Sequence, residues 1–215
     1  NLRGTRLSAP ERAQLGQRLV DEAKLMPQVE HVARGISVPF YSTESLGFFV
    51  PGVDSLRKLG RFSLQMASRA YFETRGTRII RGRGITEADG EGGQLVAVVS
   101  EGMAAAVWPD QDALGKCIMV GARDAACRVV VGIVENVRQR SLTQAETLQW
   151  YLAIDQIRPD EARLFIRTRG NAADHAEVVR RQLQRAMPGS AYVTVMTMRD
   201  ILDPRQRLWE LGATM

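Results

Sequence analysis

The chain is poor in the residues from which most active sites are assembled. It has two histidines and two cysteines in 215 residues. His31 lies in an alternating, strand-like segment after Pro27, and His175 in the first turn of a late helix. Neither is accompanied by a second histidine, an acidic calcium loop or a thiol pair at ligand spacing, so no metal centre is expected. Long apolar runs are missing as well: the richest, Val129 to Val134, is six residues long and contains Gly132, against the ~18 that a membrane helix needs. Phosphate loops fail on their chemistry. Gly115-Lys116-Cys117 puts a thiol where a magnesium-binding hydroxyl belongs, and the preceding stretch carries Asp110 and Asp112 instead of glycines. Gly82-Arg83-Gly84 has no third glycine to open a dinucleotide-binding helix. Glu73, Glu87, Asp89 and Glu91 sit in or near a glycine-rich stretch and read as solvated charge. Glu101 opens a helix, where it favourably meets the dipole. No catalytic, cofactor-binding or metal-binding residue is therefore assigned, no cofactor is expected, and the chain is not read as an enzyme.

Lysine is nearly absent, with three residues beside 26 arginines, and the net charge is +5. The charge is spread: residues 1–75, 76–160 and 161–215 balance at +4, −2 and +3. The densest basic stretch, Arg75, Arg78, Arg81 and Arg83, has few aromatics near it on which bases could stack. It reads as a salt-bridged surface, and no nucleic acid is expected as a partner.

What is present is a foldable chain. Apolar residues make up 45% and charged residues 25%, and a chain of this length buries roughly 70% of its unfolded surface, so neither metal nor disulfide is needed to supply a core. It begins Asn1-Leu2-Arg3 with no initiator Met and no signal pattern, and is read as a piece excised or processed from something longer. Ser8 and Glu11 form a capping box around Pro10, predicting a helix from Ala9 to about Met26 with Leu15, Leu19, Ala23 and Met26 on one face and Pro27 as its stop. A strand follows from Val29, then an irregular stretch through Asp54. A second helix is predicted after Asn171, with Ala172, Ala176, Val179, Leu183 and Ala186 on one face; it ends at Met187-Pro188 and runs into strand-like Ala191 to Val195. With the strand at Leu164-Phe165-Ile166 before it, this makes a βαβ unit.

The middle differs in kind. Leu95 to Val99 is an apolar strand, Ser100 caps a short helix ending at Trp108-Pro109, Cys117–Val120 and Cys127–Val134 read as a hairpin, and Trp150 to Ile154 as another strand. Residues 81–94 read as a loop. The expected class is α+β in two subdomains: an α/β lobe built from 1–75 plus 160–203, interrupted by a strand-rich lobe at 76–159. Cys117 and Cys127 flank the hairpin turn, and strand register decides whether they bridge or remain two small buried hydrophobes.

The ordered series Ser68-Arg69-Ala70-Tyr71-Phe72-Glu73-Thr74-Arg75-Gly76, Arg81-Gly82-Arg83, Thr86-Glu87-Ala88-Asp89, Val96 to Glu101, Trp108-Pro109, Leu114-Gly115-Lys116, Val130 to Arg138, Leu164 to Thr168 and Thr197 to Leu202 resembles the extracytoplasmic (periplasmic) core domain of MacB-like and FtsX-like ABC transporter permeases. The first 67 residues match mainly in layout, with Met26-Pro27-Gln28-Val29 where the family has Leu-Pro-Gly-Val. The resemblance implies a non-catalytic domain on the outer face of the cytoplasmic membrane, inserted between the first two membrane helices of a permease and built of a porter-like βαβ-repeat α/β lobe with an inserted strand-rich lobe. Its implied role is to couple cytoplasmic ATP hydrolysis to substrate handling or to contact with a partner protein.

The implied partners are the permease's own transmembrane helices, a cytoplasmic ATP-binding subunit or domain, an adaptor or other extracytoplasmic protein, and a second copy in a homodimer. Residues 204–215, with Leu208, Trp209 and Leu211, would then lead toward a membrane helix. The alternative within the family is a module that itself binds a hydrophobic cargo, a lipid, lipoprotein or drug, in a cleft between the subdomains. An enzyme would need convergent polar groups with shifted pKa values in such a groove. Cys127 departs from the family, where an aromatic commonly stands, and Cys117 from a position usually polar or basic; an oxidising compartment would favour their bridging.

Overall fold

The computed structural model describes residues 7–140, 148–159 and 162–203. In chain order the elements are α1 (Ala9–Lys24), β1 (Val29–Gly35), β2 (Phe48–Phe49), β3 (Phe62–Ala67), α2 (Tyr71–Arg75), β4 (Ile79–Gly82), β5 (Val96–Ser100), α3 (Glu101–Val107), β6 (Cys117–Val120), β7 (Cys127–Val134), β8 (Leu148–Ala153), α4 (Ile154–Ile157), β9 (Arg163–Thr168) and α5 (Ala172–Arg185). Among the described residues nine strands form one mixed sheet in the order β2-β6-β7-β5-β8-β3-β1-β9, with β4 also on β7. The class is α+β, as expected. β9 lies beside β1 in that order, so the strand at Leu164 to Ile166 is sheet-paired with the amino-terminal half.

By compactness the chain divides into two units. The first comprises the described residues up to Val32 and from Ile166, and the second is Ala33–Phe165. The first unit rests on its two long helices. Ser8 accepts from the Glu11 N–H while the Glu11 carboxylate accepts from the Ser8 N–H at 2.7 Å, closing the expected capping box. Asn171 caps α5 through the Ala173 N–H. α1 packs on α5, has Leu15, Val20 and Ala23 buried, and donates from Arg18 Nη2 to the Ala186 carbonyl at 3.2 Å. Val20 thus takes the buried place expected of Leu19. Both side chains border the apolar stripe, and four-residue steps drift around a 3.6-residue helix.

Residues 191–197 belong to no strand, contrary to the βαβ expectation. Their β-prone side chains do not make a ladder because the backbone is engaged locally. The Gln184 side-chain amide donates to the Ala191 carbonyl at 2.9 Å and accepts from the Val193 N–H at 2.8 Å. Helical residues 198–203 follow, capped by a reciprocal Thr197–Asp200 pair.

The second unit carries two apolar clusters, one on each face of its strands. On one face Leu64, Met66, Ala97, Val99, Val130, Trp150 and Leu152 pack with α3 and Trp108. On the other Ala67, Val96, Val98, Val134 and Ala153 pack with Tyr71 and Phe72 of α2. The period-2 geometry of strands makes this division in β3, β5 and β8, and a register irregularity in β7 opposite Ala97 and Val98 carries Val130 and Val134 to different faces. β3 and β8 run parallel through six register pairs, from Phe62↔Leu148 to Ala67↔Ala153. β4 occupies the start of the stretch expected to be a loop. Its Gly82 holds φ +70° and approaches the Val131 carbonyl so closely that a Cβ would lie 2.3 Å from it.

The hairpin strands Cys117–Val120 and Cys127–Val134 fall where the sequence puts them. Their register sets Met119 opposite Cys127 and leaves Cys117 and Cys127 with Cα atoms 5.4 Å apart, joined by a disulfide. Cys127 is exposed and Cys117 half-buried, so the pair is a surface staple and not two core hydrophobes.

Candidate functional site

Two residues on each of β3 and β8 are polar where the sheet is buried. Ser63 is in register with Gln149 and Gln65 with Tyr151, and alternation places all four on the face that α2 covers. All four are buried. Gly35 makes room for their neighbours: a Cβ there would lie 2.9 Å from the Phe165 ring, 3.1 Å from the Tyr71 ring and 3.2 Å from Gln65 Oε1. Ordinary contact begins near 3.4 Å, so any side chain at 35 would push the cluster apart.

Gln65 is the hub. Its Oε1 accepts from the N–H groups of Ile36 and Ser37 at 2.8 and 3.0 Å, and its Nε2 donates to the Ser37 carbonyl and to the Tyr71 hydroxyl at 2.7 and 2.8 Å. The Tyr151 hydroxyl donates to Gln149 Oε1 at 2.6 Å, and Gln149 Nε2 donates to the Val137 carbonyl at 2.7 Å. Ser100 Oγ closes the far side, accepting from the N–H groups of Gln149 and Met103 at 3.0 and 3.2 Å. Each buried amide therefore holds a backbone group that would otherwise be orphaned.

These side chains surround a small cavity that Arg75, Thr77 and Gln139 also line. Its enclosed part has room for about one water. The turn at 38–42 is tied beside it by the Phe40 N–H on the Gln139 carbonyl at 2.8 Å. Phe40 itself stands at φ +61°, a region that a bulky residue occupies at an energetic cost. Burial pushes the Tyr71 hydroxyl pKa up, against the opposing pull of Arg75 and Gln65. Burial pushes Tyr151 up further. Both phenols keep their protons and act as hydrogen-bonding groups. No lining residue is acidic, so the arrangement presents N–H and O–H donors and contains no carboxylate base.

The residues weighed in the sequence lie elsewhere. His31 is exposed, and His175 Nε2 sits 3.0 Å from the Arg169 carbonyl in a local contact. Glu87 pairs with Arg69 at 2.8 Å and Glu91 with Arg158. Asp89 is not solvated as expected: it is 2% exposed, its two oxygens accept from Arg83 at 2.6 and 2.9 Å, and one of them also accepts from the Thr86 N–H. Burial raises its pKa, and the bonds from Arg83 and Thr86 outweigh burial and hold it below the ordinary carboxylate value. Arg78 and Arg81 are paired with Glu135 and Asp112 at 2.9 and 2.7 Å, the salt-bridged surface expected of that stretch. Among the described residues no group of three or more His, Cys, Asp or Glu could hold a metal ion, and no helix is long and apolar enough to cross a membrane. The polar cluster was missed in the sequence. Its signal is the alternation Ser63/Gln65 and Gln149/Tyr151, which reads as a solvent face.

A family model described as the MacB-like periplasmic core domain matches residues 3–201. The chain belongs to this family. It is a non-catalytic extracytoplasmic domain of a MacB/FtsX-like ABC transporter permease. Three solved structures share the fold at low identity. The periplasmic region of MacB from Actinobacillus actinomycetemcomitans is 15% identical with a TM-score of 0.62, covering 90% of this chain and 82% of that one. The extracellular domain of the noncanonic ABC-type transporter YknZ from Gram-positive bacteria is 16% identical with a TM-score of 0.59, covering 84% and 88%. A domain of a putative permease protein from Porphyromonas gingivalis is 16% identical with a TM-score of 0.51, covering 80% and 69%. No curated protein matches the chain. As a MacB-like core domain the chain lies on the periplasmic or extracytoplasmic side of the cytoplasmic membrane.

Proposed function

We propose that this domain couples ATP hydrolysis in the cytoplasm to contact with a partner outside the membrane. The observation that carries the reading is that the first unit contains both α1 and α5, one near each end of the matched region. A domain inserted between two membrane helices is tethered at both ends, and here both tethers act on one body. Within it, α1 is fixed to α5, and the Arg169 N–H donates to the Gln28 carbonyl at 2.8 Å. Displacement of either tether therefore moves the whole unit, and Ala33–Phe165 is the part free to meet a partner. The permease's own membrane helices and a cytoplasmic ATP-binding subunit or domain are the partners that the family implies. An adaptor or other extracytoplasmic protein, and a second permease copy, complete the proposed assembly.

The lobes proposed from chain order are 1–75 plus 160–203 and 76–159, with 204–215 outside the described residues. β9 beside β1 supports joining the two halves of the first lobe. Compactness draws the line at Val32/Ala33 and Phe165/Ile166 instead, because six register pairs tie β3 to β8. The cavity within the second unit is polar and water-sized, and does not fit a hydrophobic cargo.

The test is excision of 33–165 from a full-length permease reconstituted with its ATP-binding subunit. Basal ATP hydrolysis should persist while transport is lost. Transport that survives excision would contradict the proposal, and so would hydrolysis that disappears with the domain although the membrane part remains assembled.

A further inference from the structure

The cavity beneath α2 has more donors than the protein uses. Gln65 is fully engaged, with two protons donated and two accepted. The Tyr71 hydroxyl accepts from Gln65 and lies close enough to Arg75 to feel its charge, so its own proton remains to be given. One N–H of Gln149 is spent on Val137 and the other is left over. Ser63 is 3% exposed, and among the described residues its hydroxyl has no partner. Thr77 adds another hydroxyl at the half-buried rim.

Arg75 is the decisive group. It is half-buried, its guanidinium lies 5.8 Å from the centre of the Phe165 ring, and among the described residues it pairs with no carboxylate, unlike its neighbours Arg69, Arg78, Arg81 and Arg83. A water would satisfy the hydroxyls but would gain little from the half-buried guanidinium beside them. An anionic oxygen satisfies both at once, and charge-assisted bonds from guanidinium to carboxylate are among the strongest available.

We propose that this cleft binds a carboxylate, one oxygen entering the enclosed space toward Ser63 and Gln149 and the other remaining at the rim with Arg75. The inference does not depend on the coupling role. The carboxylate can arrive as a small free acid or on a partner protein, and the probes below separate the two.

The test uses the whole chain, following the side-chain resonances of Arg75 and Gln149 by NMR during titration with sodium acetate and, at matched ionic strength, sodium chloride. Acetyl-glycyl-glycine with a free carboxylate is then compared with its amide. Acetate should shift both resonances saturably, and chloride should not. Tighter binding of the peptide acid than of acetate assigns the site to a protein-borne group, and the reverse order to a small acid. Arg75→Gln should abolish saturation, and Thr77→Val, at the rim and less exposed to any risk of misfolding, should weaken it several-fold. Identical shifts with chloride, equal binding of the amide, or no saturable shift with any probe would each overturn the proposal and leave water as the occupant.

Discussion

The two faces of β3 and β8 do opposite work with the same backbone. On one face Leu64, Met66, Trp150 and Leu152 join an apolar cluster in which Phe48 lies 4.6 Å from the Trp150 ring centre. That face gains from area removed from water and is indifferent to detailed geometry until a void opens. On the other, Ser63, Gln65, Gln149 and Tyr151 are equally buried, but Gln65, Gln149 and Tyr151 are held by named partners and the Ser63 hydroxyl is left facing the cavity. The apolar face gives stability, whereas the polar face fixes where the backbone of 36–37 and 137 is held, and it creates a place where a ligand can bind.

The apolar face breaks hardest. Trp150→Ala should destabilise the fold by about 3–5 kcal/mol, read as a fall in the denaturant midpoint. On the polar face Gln65→Leu keeps the volume but orphans the Ile36 and Ser37 backbone groups, and should cost on the order of 3 kcal/mol. It should also raise amide exchange at 36–37, which the tryptophan variant should not do selectively. A loss below that of a surface substitution would show that water takes over the Gln65 bonds.

Away from both faces, reducing Cys117–Cys127, ten residues apart, should remove about 2–3 kcal/mol through the freedom returned to the unfolded loop. Melting with and without reductant measures it, and a Cys117→Ser/Cys127→Ser variant should reproduce the reduced value. The smallest effect is expected from acid acting on Asp89. Because its folded pKa is depressed, the stability it contributes is present above its unfolded value near 4 and is lost as pH falls below that toward the folded pKa. Asp89→Asn should flatten stability against pH in that window, and a profile parallel to that of the parent would remove Asp89 from the account.

Elements that announce themselves locally were legible in the sequence. The Ser8–Glu11 box, the Ser100 and Asn171 caps, the Pro27 stop and the Cys117–Val120/Cys127–Val134 hairpin are set by neighbours a few residues away, and the structure has them where expected. β3 was not read, because Phe62-Ser63-Leu64-Gln65-Met66 alternates apolar with polar. In one sequence that pattern describes a half-exposed strand equally well, and burial of the polar side is decided by α2 and β8, which are distant in the chain. The same limit hid the cavity, whose lining comes from four separate segments. Residues 191–195 err the other way: β propensity there was clear, but a ladder needs a partner, and Gln184 holds the backbone instead.

The placement of the domain outside the cytoplasmic membrane can be tested most directly by labelling. Leu25, 74% exposed at the end of α1, can be changed to Cys in the full-length permease, where the Cys117–Cys127 bridge keeps the native thiols of this domain silent. A membrane-impermeant maleimide applied to intact spheroplasts should label Leu25→Cys as fully as it does after lysis. Labelling that requires lysis would place the domain in the cytoplasm and contradict the account.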